Sequence, residues 1–363
     1  MNPGVVVVGG GFGALEVALA LKAVDSQIPV SVLSDQTTIV YRLWLIKVPA
    51  GKAEPPVIPF ARLLAQAGVD VIAGRAATAD VARRRVLLDS GRELEYGQLV
   101  VATGAVADRD RVPGAREHAL FPCDAVDAAG FAAKVGAGVA AVAVVFGWER
   151  PGPGLEYAAW IAAHRRGVHV TAIDGDGTLE RRFGAKATAW LGRLFDGRGA
   201  RLVSEGPVER VREGRVELAA GSVAADLIAL ASPLRGDTEW LPRDLLDPIG
   251  RLRVDETMAA APGIFGIGDV VAVPDDYRLS PALRSIQATA QGVALNVSRA
   301  LRGEAPQAIL RPRQPDMLMP DLAGVGLLVR DRRMVMSGRL PLLLRSLGDR
   351  RYLLSRNAYE DSA

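Results

Sequence analysis

The sequence predicts an α/β chain of two Rossmann-like, three-layer ββα nucleotide-binding domains with a short C-terminal region. Three observations predict it. Residues 5–16, VVVVGGGFGALE, run four β-branched residues into a glycine-rich turn and a helix start. A second strand–loop–helix–strand pattern spans Val139 to Asp174. Each pattern is followed by short strands with turn residues between them, over 69–96 and 200–220. Two βαβ units, each with its meander, imply a duplicated nucleotide-binding architecture.

The bulk numbers agree. A chain of 363 residues suggests two domains and a smaller piece. A hydrophobic fraction of 49% permits large cores. The single cysteine, Cys123, excludes an internal disulfide and a CxxC pair, and makes a reducing cytoplasm the simplest compartment. A net charge of +3 and a pI near 9.2 are too weak to argue for nucleic acid. They suit phosphorylated cofactors or an anionic lipid surface. The chain opens on a strand rather than a charged leader, and it holds no run of about 18 apolar residues.

In order, 4–8 reads as a strand buried on both faces, 9–14 as the turn and 13–23 as a helix. A second strand over 28–33 ends at Ser34 and Asp35. Another strand is expected over 99–103. From Pro113 the pattern restarts, with a strand over 139–146, a helix over 154–164 and a strand over 168–173 closed by Asp174. Strands over 227–231 and 263–268 and a long helix over 281–301 complete the plan. Residues 305–363 are proline-punctuated, then basic and leucine-rich.

The opening turn carries the first chemistry. Gly9 supplies a tight strand-to-helix reversal, and Gly11 lets main-chain NH groups approach a pyrophosphate with no Cβ in the way. Ala14, in the third glycine slot, allows close helix–strand packing, and the helix start adds partial positive charge. Asp35 stands about where an adenosine ribose needs an acid. At this point the ligand is NAD or FAD, and a tight turn with no ligand remains open.

Two later motifs narrow the choice: Val100-Val101-Ala102-Thr103-Gly104 and Pro262-Gly263-Ile264-Phe265-Gly266-Ile267-Gly268-Asp269. With the opening turn, in this order, they resemble the FAD-dependent pyridine nucleotide oxidoreductases with two dinucleotide domains, of glutathione-reductase-like fold. Within these the chain looks like the branch of type II NADH dehydrogenases, apoptosis-inducing-factor-like quinone reductases and sulfide:quinone oxidoreductases. The resemblance runs from about residue 4 to 300. It implies that Gly9, Gly11, Phe12, Gly13 and Asp35 hold the ADP half of FAD, that Ala102, Thr103 and Gly104 pass under it, and that Ala76 lines the adenine. Asp269, after Gly268, takes a ribityl hydroxyl, which suits a carboxylate at a strand end. Ser34 fills the slot where many relatives carry the acid; the sulfide-oxidising branch often shows this Ser-Asp pair.

The second site is less regular. In VVFGWERPGPGLEYAAWIA, Gly154-Leu155-Glu156 matches the family's helix start, but Trp148, Glu149, Arg150 and two prolines interrupt the glycine pattern formed by Gly147, Gly152 and Gly154. Asp174 is placed to accept ribose hydroxyls of NADH. The GPGLEYA run also resembles the sulfide-oxidising branch, whose second domain no longer uses a nicotinamide. Glu156 is the candidate for positioning the nicotinamide.

On the acceptor side, Cys123 has no second cysteine to partner it, so it reads as a small buried residue. Gln287 and Gln291, one helical turn apart, match two glutamines that relatives place near the flavin and the quinone mouth. A solvated helix face is the plain alternative. Arg42, Leu43 and Trp44 match the loop that borders the isoalloxazine, although Trp44 could equally be core. In LPLLLRSLGDRRYLLSR, Leu340, Leu343, Leu344, Leu347 and Leu354 form a stripe with Arg345, Arg350 and Arg356 off it. Such a segment lies in a headgroup plane, docks on its own domain, or packs on a partner subunit in a homodimer. The three histidines, His118, His164 and His169, show no catalytic spacing, with His169 expected in the core and the others at the surface. No metal-ligand spacing or P-loop is present.

These readings assign 1–112 and 236–304 to an FAD-binding domain, 113–235 to an NAD(H)-binding-like domain, and 305–363 to an interface or membrane-contact segment. The leading function is hydride transfer from NADH to FAD, then electrons to a quinone or similar acceptor. The alternatives are a nicotinamide-independent flavoprotein oxidising a sulfur compound or specialised metabolite, and a non-enzymatic flavin sensor.

Overall fold

The structure, a computed structural model, describes residues 4–52, 54–148, 150–277, 279, 283–311 and 317–358. The fully buried strand β1 (Val5–Val8) runs into α1 (Phe12–Val24), and β2 (Val30–Ser34) returns parallel to it, with Val5 opposite Val30. Then come β3 (Asp70–Ala73) and β4 (Gln98–Val101). The second unit contains β5 (Ala141–Phe146), α2 (Pro151–His164), β6 (His169–Asp174), β7 (Arg201–Val203) and β8 (Leu227–Leu230). Later elements are β9 (Ala259–Ala261), β10 (Ile264–Gly266), α3 (Leu283–Leu301), β11 (Gly326–Arg330), β12 (Arg333–Gly338) and α4 (Arg339–Ser355).

The first sheet has the order β9-β10-β4-β1-β2-β3, parallel except for β9. The second is wholly parallel, in the order β7-β6-β5-β8. This mixed α/β architecture with Rossmann-like parallel sheets is the expected fold class, and α1 packs along α3. The central strands β1 and β4 are buried at every position, as continuous apolar runs require when both faces are covered, and so is β8 at the end of the second sheet. Each sheet has its antiparallel three-stranded meander, over 76–95 and 208–224. Ala105–Ala107 pairs antiparallel with Leu234–Gly236 where the chain leaves the first sheet and later returns.

Three details differ from expectation. Residues 70–73 join the first sheet beside β2 instead of its meander. Helix α2 begins at Pro151 rather than Gly154, because proline at the first helical position carries a preset φ and needs no NH partner. Gly152 and Gly154 therefore lie inside the helix, which shortens the second loop to 147–150. His169 is exposed at the start of β6, not in the core.

The C-terminal segment forms an antiparallel hairpin, β11 and β12, then α4. Helix α4 faces the body with Pro341, Tyr352 and Leu353 buried, while Leu340, Leu343, Leu344, Leu347 and Leu354 are 51–56% exposed. Among the described residues, no helix is long and apolar enough to cross a membrane.

Candidate functional site

The opening turn sits at the C-terminal ends of β1 and β4. Gly9 has φ +142°, and a Cβ there would lie 2.3 Å from the Ala102 carbonyl oxygen. Glycine at this position is a requirement of the fold itself. Gly11 is different: its backbone is extended, and a Cβ would meet no protein atom within 4 Å. Protein packing does not demand glycine there, and open space lies in front of it. The first turn of α1 carries no acidic residue and no side-chain cap, which leaves its NH groups for an anion. The predicted residues converge on this point. A Cβ on Gly13 would lie 3.4 Å from Ile267, and Ile267 NH donates to the Val101 carbonyl, which brings the Gly268–Asp269 turn beside the opening loop. Ala14 is fully buried. Phe12 stands edge-on to Tyr41 and Tyr352, with ring centroids 6.0 and 5.8 Å apart.

Just past the end of β2, Asp35 is exposed and paired with Arg75 at 3.5 Å. The Ser34 hydroxyl accepts from Gln36 NH at 2.9 Å and packs over Gly10. Ala76 is half-buried just past Arg75. Thr103 Oγ1 donates to the Asp237 carbonyl at 2.7 Å, and Asp237 NH donates to Gly104 O at 3.2 Å. Burial raises the Asp237 carboxyl above the ordinary carboxylate range, with Arg75 and Arg235 pulling against it. No local signal marks Asp237, because it arrives from 134 residues beyond Thr103.

The far end faces the second unit. Arg150 reaches across and ion-pairs with Asp269, joining the loop after β5 to the turn after β10. Arg42 is exposed, and Trp44 is half-buried beneath Lys47, whose Nζ lies 4.1 Å from its ring centroid. The Cys123 thiol donates to the Ala231 carbonyl at 3.1 Å, and burial pushes its pKa up to about 11. Gln287 Nε2 is 3.4 Å from Glu16 Oε2, while Gln291 is exposed one turn on, so only the first is held against the body.

Two acids of the second unit are turned inward. Glu156 is 3% exposed, ion-paired with Arg345 of α4, and accepts from Asp321 NH at 2.7 Å. Burial raises its pKa, against the pull of Arg345. Its expected place beside a nicotinamide thus coincides with a carboxylate already committed to α4. Asp174 is 1% exposed; Oδ2 accepts from Leu179 NH at 2.7 Å, and Oδ1 is buried without a hydrogen-bond partner. Burial pushes it up to about 6. Gly154 has the packing role of a third glycine, since a Cβ would lie 2.3 Å from Phe146 Cβ. Arg345 and Trp148 shape this region and were not legible as site residues, since the contacts that define them are tertiary.

The sequence of residues 3–292 matches the family model described as pyridine nucleotide-disulphide oxidoreductase. The ferredoxin–NAD(+) reductase component of a biphenyl dioxygenase system from Paraburkholderia xenovorans is 30% identical over 285 residues, covering 74% of this chain and 68% of its own. An NADH dehydrogenase-like protein of Mycobacterium tuberculosis is 27% identical over 304 residues, covering 76% and 75%. A monodehydroascorbate reductase of Arabidopsis thaliana is 29% identical, and the match spans 43% of its length. Among solved structures, a sulfide:quinone oxidoreductase from Aquifex aeolicus superposes with a TM-score of 0.83 at 21% identity, covering 98% of this chain and 91% of that one.

Proposed function

Because the chain belongs to the pyridine nucleotide-disulphide oxidoreductase family and is an FAD-dependent oxidoreductase, we propose that it takes a hydride from NADH and passes electrons to a quinone or similar acceptor. The observation that carries the flavin site is the open space at Gly11, with the Gly268–Asp269 turn brought near it by β10, two strands from β1. When bound, FAD supplies the two-electron chemistry. Gly9, Gly11, Phe12 and Gly13 hold its pyrophosphate side, Ala102, Thr103 and Gly104 pass beneath, Asp35 and Ala76 flank the adenosine, and Gly268 with Asp269 meets the ribityl chain. For Asp269 to do so, its carboxylate shares or exchanges Arg150. Arg42, Gln287 and Gln291 border the acceptor side, Glu156 positions the nicotinamide region through its packing, and Gly154 and Asp174 shape the second nucleotide site.

The assignment of 1–112 with 236–304 to flavin and 113–235 to nicotinamide follows the two sheets. Residues 305–363 supply the surface on which Leu340, Leu343, Leu344 and Leu347 meet a membrane or, in a homodimer, a second copy. A cytoplasmic membrane face is the location that suits a lipid-soluble quinone. Disulfide chemistry within one chain has no second thiol, and the raised pKa of Cys123 keeps it unreactive at neutral pH.

One observation favours the nicotinamide-independent reading, oxidation of a sulfur compound or specialised metabolite: the inward-turned Asp174. Mixing FAD-loaded protein anaerobically with NADH separates the two. Rapid bleaching of the flavin band, reversed by a soluble quinone analogue, is expected. A band that keeps its intensity favours the alternative.

A further inference from the structure

The second glycine-rich loop has an occupant of its own. Trp148 has φ +47°, a left-handed conformation that tryptophan adopts at a cost. Its indole lies on Gly175, the residue after Asp174: a Cβ at 175 would stand 2.2 Å from Cη2 and 2.5 Å from Cζ3. The ring also packs against the apolar cluster formed by Val145, Ile173 and Val203. Beside it, a Cβ on Gly147 would lie 3.3 Å from Asp174 Oδ1, the buried oxygen with no hydrogen-bond partner. The loop is thus folded down over the end of β6, with its far side pinned by Arg150 on Asp269.

In a βαβ nucleotide unit, the acid at the end of the second strand meets the adenosine ribose, and the pyrophosphate meets the start of the helix. Helix α2 starts without an acidic residue or a side-chain cap. The parts of such a site are therefore present, and the indole fills the space between them. We propose that Trp148 is a built-in occupant of the second nucleotide site, seated where the adenosine end of a nicotinamide dinucleotide would lie. Nucleotide affinity is then set by the cost of expelling the ring, and the orphaned Asp174 oxygen gains its partner only when the loop lifts. This rests on the reading of the second unit as a nicotinamide site.

The test uses FAD-loaded wild type, Trp148→Phe and Trp148→Ala, titrated calorimetrically with NAD+, which cannot reduce the flavin. Trp148→Ala should bind about tenfold more tightly, equivalent to ~1.4 kcal/mol, with Trp148→Phe close to wild type. Equal or weaker binding by Trp148→Ala overturns the inference. Should that variant fail to fold, acrylamide quenching of wild-type tryptophan emission decides. Saturating NAD+ should expose a fluorophore in wild type and none in Trp148→Phe, and no added quenching overturns the inference. If NADH bleaches the wild-type flavin while these results fail, the inference falls and the proposed function stands. If neither wild type nor Trp148→Ala binds NAD+ or is bleached by NADH, both fall.

Discussion

Glycines nine and eleven show how two residues of one type in one motif do different work. Gly9 answers to the protein, because its positive φ and the Ala102 carbonyl leave no room for a side chain. Gly11 is not held to glycine by the protein, because only open space lies before it. Replacing each by alanine should separate the roles. Gly9→Ala should lower the unfolding midpoint of the apoprotein, since a Cβ would collide with the backbone. Gly11→Ala should leave that midpoint within a degree or two and reduce the flavin-to-protein ratio several-fold after incubation with FAD. Thermal unfolding and the visible spectrum read the two effects, and equal flavin loading in wild type and Gly11→Ala would contradict the assignment. The motif spacing was legible in sequence and assigned the turn to Gly9 and the phosphate approach to Gly11; that a Cβ at Gly9 would strike the Ala102 carbonyl was not, because that depends on what faces each Cα.

At the scale of elements, α4 inverts the usual arrangement of an amphipathic helix. Its leucine stripe points outward, and it is held to the body largely by polar contacts. Arg345 pairs with Glu156 of α2, and Arg356 with Glu16 of α1, whose carboxylate also accepts from Tyr352 at 2.9 Å. One helix therefore ties the first helices of both sheets. Removing one partner of a buried pair strands the other charge and costs about 3–5 kcal/mol. Arg345→Met should lose stability of that order in urea, and adding Glu156→Gln should restore much of it. A double variant no more stable than Arg345→Met would show that the pair is not the source. Sequence periodicity located this helix and its stripe, because 3.6-residue spacing is local. It could not tell which side faces inward, since the partners of Arg345 and Arg356 lie 189 and 340 residues away.

For the whole molecule, the outward leucines and the exposed Arg339, Arg350 and Arg351 give one surface that is both apolar and basic. A surface of that kind binds an anionic headgroup plane more strongly than a neutral one, and salt weakens it. The protein should float with vesicles containing anionic lipid, and Leu343→Glu with Leu347→Glu should abolish flotation. Flotation equal in the double variant would remove α4 from the contact. These substitutions lie on exposed positions, so their cost to folding should be small.

The sequence by itself determined the α/β class, the two strand–turn–helix units, the flavin motifs and the order in which they come, because each is written in short-range spacing of glycines, β-branched residues and strand-end acids. Only the tertiary structure decided that Asp269 meets Arg150, that Asp174 and Glu156 turn inward, and that Trp148 covers the second strand end. Those are orientations, set by contacts between segments far apart in the chain. A side chain's direction follows from what packs against it, not from its neighbours in sequence.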